Sequence, residues 1–153
     1  MKHEMNSDEM HRHFAAKFFN DAWALLKKAT RTPAEDDRMI HLAHASRLHW
    51  GFIGSAQNLA VGEWQIARVY SELKRCEPAL YHANRCVEIA EKNEFDGFFL
   101  ASAYEGMARA TAICGDPSAS GFFRKAQEIA AGLTDPEQKA ILQADLSTIR
   151  LAS

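Results

Sequence analysis

Apolar residues recur every three to four positions along nearly the whole chain, which is the period of helices with one buried face. In "FAAKFFNDAWALLKKA", Phe14, Phe18, Ala22 and Leu25 fall on one side, and Phe19, Trp23 and Leu26 on the side next to it. "GEWQIARVYSEL" spaces Ile66, Ala67, Tyr70 and Leu73 in the same way, and "FFLASAYEGMARATAI" and "FFRKAQEIAAGL" repeat the pattern. β-branched residues are sparse and never cluster, so no strand is predicted. The four prolines punctuate this pattern in "RTPAEDD", "CEPALYH", "GDPSASG" and "TDPEQKA". Proline fits the first turn of a helix, where its missing N–H has no partner to lose. Pro33, Pro78, Pro117 and Pro136 therefore mark helix starts, helped by capping-box spacing at Thr32/Glu35 and Asp135/Gln138 and by Asp116 as an N-cap. Seven helices are predicted, over 8–30, 33–52, 55–76, 78–93, 97–115, 117–132 and 135–151. Short connections make neighbours antiparallel. The fold class is all-α: one domain over 1–153, with 1–10 a frayed start.

The pattern also repeats at longer range. Aligning Ala79 with Ala119 matches Ala79, Ala83 and Cys86 to Ala119, Phe123 and Ala126, and upstream matches Ala67 and Tyr70 to Met107 and Ala110. Small residues at these offsets let two helices approach closely. "ARVYSELKRCEPALYHANRCVEIA" resembles a tetratricopeptide repeat (TPR), and "ICGDPSASGFFRKAQEIA" resembles a second that is one residue shorter. The resemblance covers about residues 62–131, while the pair 14–52 matches only in architecture. "RTPAEDDRMIHLAHASRLHWG", with the segments that follow, also resembles a group of small bacterial proteins to which no activity is attached. The TPR resemblance implies a right-handed stack of helical hairpins with a concave face, closed by "DPEQKAILQADLSTIRL" as a C-terminal capping helix. It also implies groove-facing positions at Phe19, Trp23, Trp64, Arg68 and Tyr104, with Glu63 and Glu105 beside them.

Composition narrows the function classes. The chain has 153 residues, 47% hydrophobic and 25% charged, with a net charge of −2. No basic field draws nucleic acid, and no stretch reaches the roughly 18 apolar residues of a membrane span. Lys27-Lys28 and Lys74-Arg75 read as charges at helix C-termini. The N-terminus lacks a signal peptide's apolar core. Cys76, Cys86 and Cys114 are odd in number and form no CxxC pair, so reduced thiols and a cytoplasmic location are expected.

Candidate chemistry centres on "HLAHASRLHW". At about 100° per residue, Asp37, His41 and His44 share a face, while His49 points roughly 140° away from His44. The face could supply two or three metal ligands if Glu63, His82 or an N-terminal histidine joined it. Otherwise His41 and His49 are packed imidazoles and His44 lies near the surface. "EMHRH" at 9–13 reads as a solvated helix start. No GxSxG elbow, HExxH helix or Gly-rich phosphate loop occurs. The expectation is a noncatalytic module that binds a protein or peptide in an aromatic and arginine-lined groove and needs no cofactor. The alternative is a small-molecule or metal-binding protein, conceivably an enzyme, and a homodimer is a further possibility.

Overall fold

The computed structural model describes residue 2 and residues 4–152. Within them lie α1 (Ser7–Leu26), α2 (Pro33–Ile53), α3 (Ala56–Glu72), α4 (Cys76–Lys92), α5 (Gly97–Ile113), α6 (Ala119–Ala131) and α7 (Pro136–Ser147), and no strand. Each helix begins where local chemistry satisfies its free N–H groups. Thr32 and Glu35 cap α2 reciprocally, with Pro33 as the first helical residue. Asp135 accepts from the backbone N–H groups of Glu137 and Gln138, with no reciprocal bond from the Gln138 side chain. Asn6 and Glu9 form a full capping box, so α1 starts at Ser7, inside the stretch expected to fray. Ser55 and Asn58 do the same for α3. Asp116 holds the Ser118 N–H and hydroxyl, each at 2.8 Å, in a turn that delays α6 to Ala119.

Three helices end on a residue in the left-handed region: Lys74 (φ 59°) after α3, Glu94 (φ 54°) after α4 and Gly115 (φ 70°) after α5. In each case the next N–H reaches back five residues: Arg75 to the Tyr70 carbonyl, Phe95 to Ala90 and Asp116 to Thr111. This closure turns the chain sharply into the next helix.

Consecutive helices pair as α1·α2, α3·α4 and α5·α6, and the pairs stack in chain order. α1, α3 and α5 line one side, with α3 touching both others, while α7 packs on α5 and α6. Ala22, Met39, Ala43, Ile66 and Val69 join the first pair to α3. Ala67, Ala79, Ala83 and Ala110 form an alanine seam through α3, α4 and α5. Ala101, Ala130 and Leu142 seat α7. The glycines inside α3 and α5 mark close approach. A Cβ on Gly62 would stand 2.7 Å from Arg47 Cδ, and one on Gly106 would stand 3.0 Å from Trp64 Cδ1.

The expectation of three reduced thiols fails, and α2 is covered mainly on one side. Leu48 and Phe52 are 62% and 63% exposed, so α2 packs its Met39–Ala43 side and leaves the opposite side open. Cys76 and Cys114 are joined in a disulfide, and only Cys86 is a free, buried thiol. The pairing depends on folding, because the turns after α3 and α5 lie side by side although the cysteines are 38 residues apart.

Candidate binding cleft

Phe19 and Trp23 of α1, Trp64 of α3, Phe98 and Phe99 of α5, and Ile141 and Asp145 of α7 line a cleft of 270 Å³. The Trp23 and Trp64 rings lie 5.7 Å apart, and the Arg68 guanidinium sits 5.6 Å from the Trp23 ring centre. Behind this wall runs a buried charged network. Trp64 Nε1 donates to Glu105 Oε2 at 2.8 Å. Glu105 Oε1 accepts from Arg109 Nε at 3.0 Å and Nη2 at 2.8 Å, with Arg68 Nη1 at 3.7 Å. Arg109 Nη2 also reaches the Asp145 carbonyl and Thr148 Oγ1, and Arg68 Nη1 donates to Asp145 Oδ1 at 3.4 Å. Two guanidinium groups thus answer two carboxylates, which makes burial of all four tolerable. Burial pushes the Asp145 carboxyl up and Glu105 pushes it further, against the pull of Arg68 and Arg109. The cleft is therefore an apolar slot with a charged floor at one end, a shape suited to an aromatic or aliphatic side chain.

Of the residues expected at a groove, Phe19, Trp23, Trp64 and Arg68 meet here, with Glu105 behind them. Tyr104 does not. Its hydroxyl donates to Glu91 at 3.2 Å, and its ring faces Phe122 and Lys125 on the far side of α5. Glu63 also turns away, toward α2 and α4, where it meets Arg47, His82 and Arg85. Glu63 turns away because it is one residue, about 100°, from Trp64 on the same helix, while Tyr104 is misplaced by a slip of register. Lys74 and Gly115, the equivalent ends of α3 and α5, are 41 residues apart, whereas Ala79 and Ala119 are 40 apart. The missing residue lies in the turn, so the partner of Ala67 is Ala108 rather than Met107, and Trp64 faces Glu105 rather than Tyr104. One residue of slip rotates a side chain by about 100°. Phe98, Phe99, Ile141, Asp145 and Arg109 went unrecognised. The aromatic run that opens α5 was a signal for the first two, once the correct register is used.

The histidine-rich helix resolves differently. His44 Nε2 shares a hydrogen bond with the Tyr70 hydroxyl at 2.8 Å, and His82 Nδ1 with Glu63 Oε2 at 2.6 Å. The two imidazoles pack edge-on at 5.3 Å. Burial holds the His44 pKa below the usual value, and His82 lowers it further. Asp37 and His41 instead line a shallow depression with Phe18 and Leu42. The expected order is thus reversed: His41 is exposed and His44 is half-buried. Among the described residues, no three His, Cys, Asp or Glu side chains are placed to hold a metal ion. His49 packs as expected, against Phe14 and Phe18. His11, read as solvated, instead stacks on Phe52 and shares a 2.9 Å contact with His49.

No helix among the described residues is long and apolar enough to cross a membrane. No family model, curated protein or solved structure matches the chain.

Proposed function

We propose that the protein is a noncatalytic interaction module, a TPR-like stack of hairpins that takes a segment of a partner protein along the α1–α3–α5 side. The observation that carries this reading is the aromatic cleft, with Arg68 and Asp145 at its end. Aromatic anchors flanked by arginine supply most of the energy in protein interfaces. An extended segment with one large apolar residue and a polar neighbour matches this lining. The disulfide supports an oxidising compartment over the cytoplasm expected from three thiols.

Selection of linear peptides on the full chain tests the proposal. Selected peptides are expected to share an aromatic or aliphatic anchor and to shift tryptophan emission on binding. Ser102→Arg places a cation in the cleft mouth and is expected to weaken them by roughly tenfold or more. If peptides bind Ser102→Arg as tightly as the parent, with matching circular dichroism, the reading is wrong.

A further inference from the structure

A second pocket, of 620 Å³, opens where α1, α3 and α5 end and the chain leaves α7. Its polar lining comes from Arg68, Ser71, Lys74, Arg109 and Arg150, with Glu72 the single acid, and Leu26, Ile113 and Ile149 give it an aliphatic side.

Three observations set it apart from an ordinary helix-end depression. Ser71 is 2% exposed, and its Oγ has no hydrogen-bond partner among the described residues. A buried helical hydroxyl normally bonds a carbonyl one turn back. Thr111 on α5 does so, reaching the Met107 carbonyl at 2.6 Å. A buried hydroxyl left unpaired is costly, and this one lies just beneath the pocket wall that its residue helps to form, so a ligand meets it only when Ser71 shifts. Next, Lys74 and Arg150 pair with no carboxylate among the described residues, and both are exposed at the rim. Finally, Arg109 is held through Nε and Nη2, which leaves Nη1 without a partner among the described residues. The carbonyl ends of α3 and α5 carry partial negative charge toward this region. Glu105 and Asp145 answer Arg68 and Arg109, so Lys74 and Arg150 against Glu72 leave the cations ahead by one.

We infer that this pocket binds a phosphate monoester. Donors stand on separate walls: Arg109 on α5, Lys74 in the turn after α3 and Arg150 on the C-terminal segment, with the unpaired Ser71 hydroxyl of α3 beneath them. A tetrahedral phosphate presents three terminal oxygens that can meet donors from several directions, whereas a carboxylate offers two oxygens in one plane. The volume exceeds that of phosphate alone and leaves room for a small organic body against Leu26, Ile113 and Ile149. That body is either a free small ester or a phosphorylated side chain of a partner; the recognised group is the same.

Titration of the full, disulfide-bonded chain tests this at constant ionic strength with glycerol phosphate, inorganic phosphate, a phosphoserine peptide and acetate. The phosphate ligands are expected to bind and to raise the unfolding temperature, while acetate does neither. Lys74→Gly combined with Arg150→Ala is expected to weaken phosphate binding by roughly tenfold or more. Glycine suits the left-handed conformation at 74, so this variant keeps its turn. Ser71→Ala is expected to weaken binding while leaving the free protein at least as stable, two effects that a purely structural serine would not combine. Equal response to acetate, or undiminished phosphate affinity in either variant, would overturn the inference. Tighter binding of glycerol phosphate supports it with a free ester as ligand, and tighter binding of the peptide supports it with a modified partner. Ser102→Arg is expected to leave phosphate binding unchanged, so failure here is distinguishable from failure of the aromatic cleft.

Discussion

Glu63 sits at the junction of three helices, with Arg47 of α2 at 3.2 Å and His82 and Arg85 of α4 at 2.6 and 3.6 Å. Burial pushes its carboxyl up, but the hydrogen bond and charge of His82, with Arg47 and Arg85, outweigh that and hold it below the usual carboxylate range. A carboxyl with a depressed folded pKa contributes stability above its unfolded pKa and loses it as pH falls through the folded value. Glu63→Gln is expected to lower unfolding free energy in urea at pH 7 by about 2 kcal/mol and to flatten the acid limb of the stability profile. The histidines act in a higher window with the same overall slope. Burial lowers the His44 and His49 pKa values, helped by His82 and His11 respectively, so both stay neutral while the unfolded chain takes up protons. Stability is expected to fall as pH drops below about 6.5, and His49→Gln should remove part of that slope. No contact of Glu63 could be read from sequence beyond its neighbourhood, because its three partners come from two other helices.

Among elements, helix starts were legible wherever the cap followed a familiar spacing, as at Thr32–Glu35 and Asp135–Pro136. Ser55–Asn58 was not, because asparagine stands where glutamate or glutamine is usual. The repeat was legible from its small residues, but its register was not: the residue lost in the α5–α6 turn left the helix periodicity unchanged. The disulfide was invisible for a related reason, since pairing of Cys76 with Cys114 follows from two turns meeting in space. In the chain-entropy account, closing 38 residues stabilises the fold by about 4 kcal/mol. Cys76→Ser with Cys114→Ser is expected to lower unfolding free energy by roughly 2–4 kcal/mol, measured by urea denaturation under non-reducing conditions. Cys86 should resist thiol reagents in the native protein, because burial at 3% exposure, with Glu63 and Glu105 nearby, lifts its thiol to about 12.

For the whole molecule, α7 has two roles. It buries Leu142 against Ala101 and Ala130, and it supplies Ile141, Asp145 and the Thr148 hydroxyl to the groove side. The repeat resemblance implied the first role, that of a capping helix; the second needed the reach of Asp145 to Arg68 of α3. Removing residues 134–153 is expected to expose Phe98 and Ala101, strand Arg109 and Glu105 in a half-open network, and produce a chain that binds a hydrophobic dye and unfolds at lower temperature. Unchanged melting would show that α7 is an accessory rather than part of the cooperative unit. The aromatic half of the cleft gathers Phe19, Trp23, Trp64 and Arg68, positions that the repeat resemblance implied rather than ones that helix periodicity alone selects. Its far wall belongs to α5 and α7, where the register slip and the docking of a terminal helix decided the outcome.

The bond between Cys76 and Cys114 gives the protein a property that no helix inventory conveys. Residues 76–114 become a closed covalent loop containing α4, α5 and the turn between them. Severing one peptide link anywhere inside that loop, including the turn at Glu94, leaves a single molecule, since the two pieces stay tied through sulfur. The first three helices and the last two hang from the loop as separate arms. α4 and α5 are thus protected against being cut apart, while α1 to α3 and the pair α6 and α7 rely on packing alone.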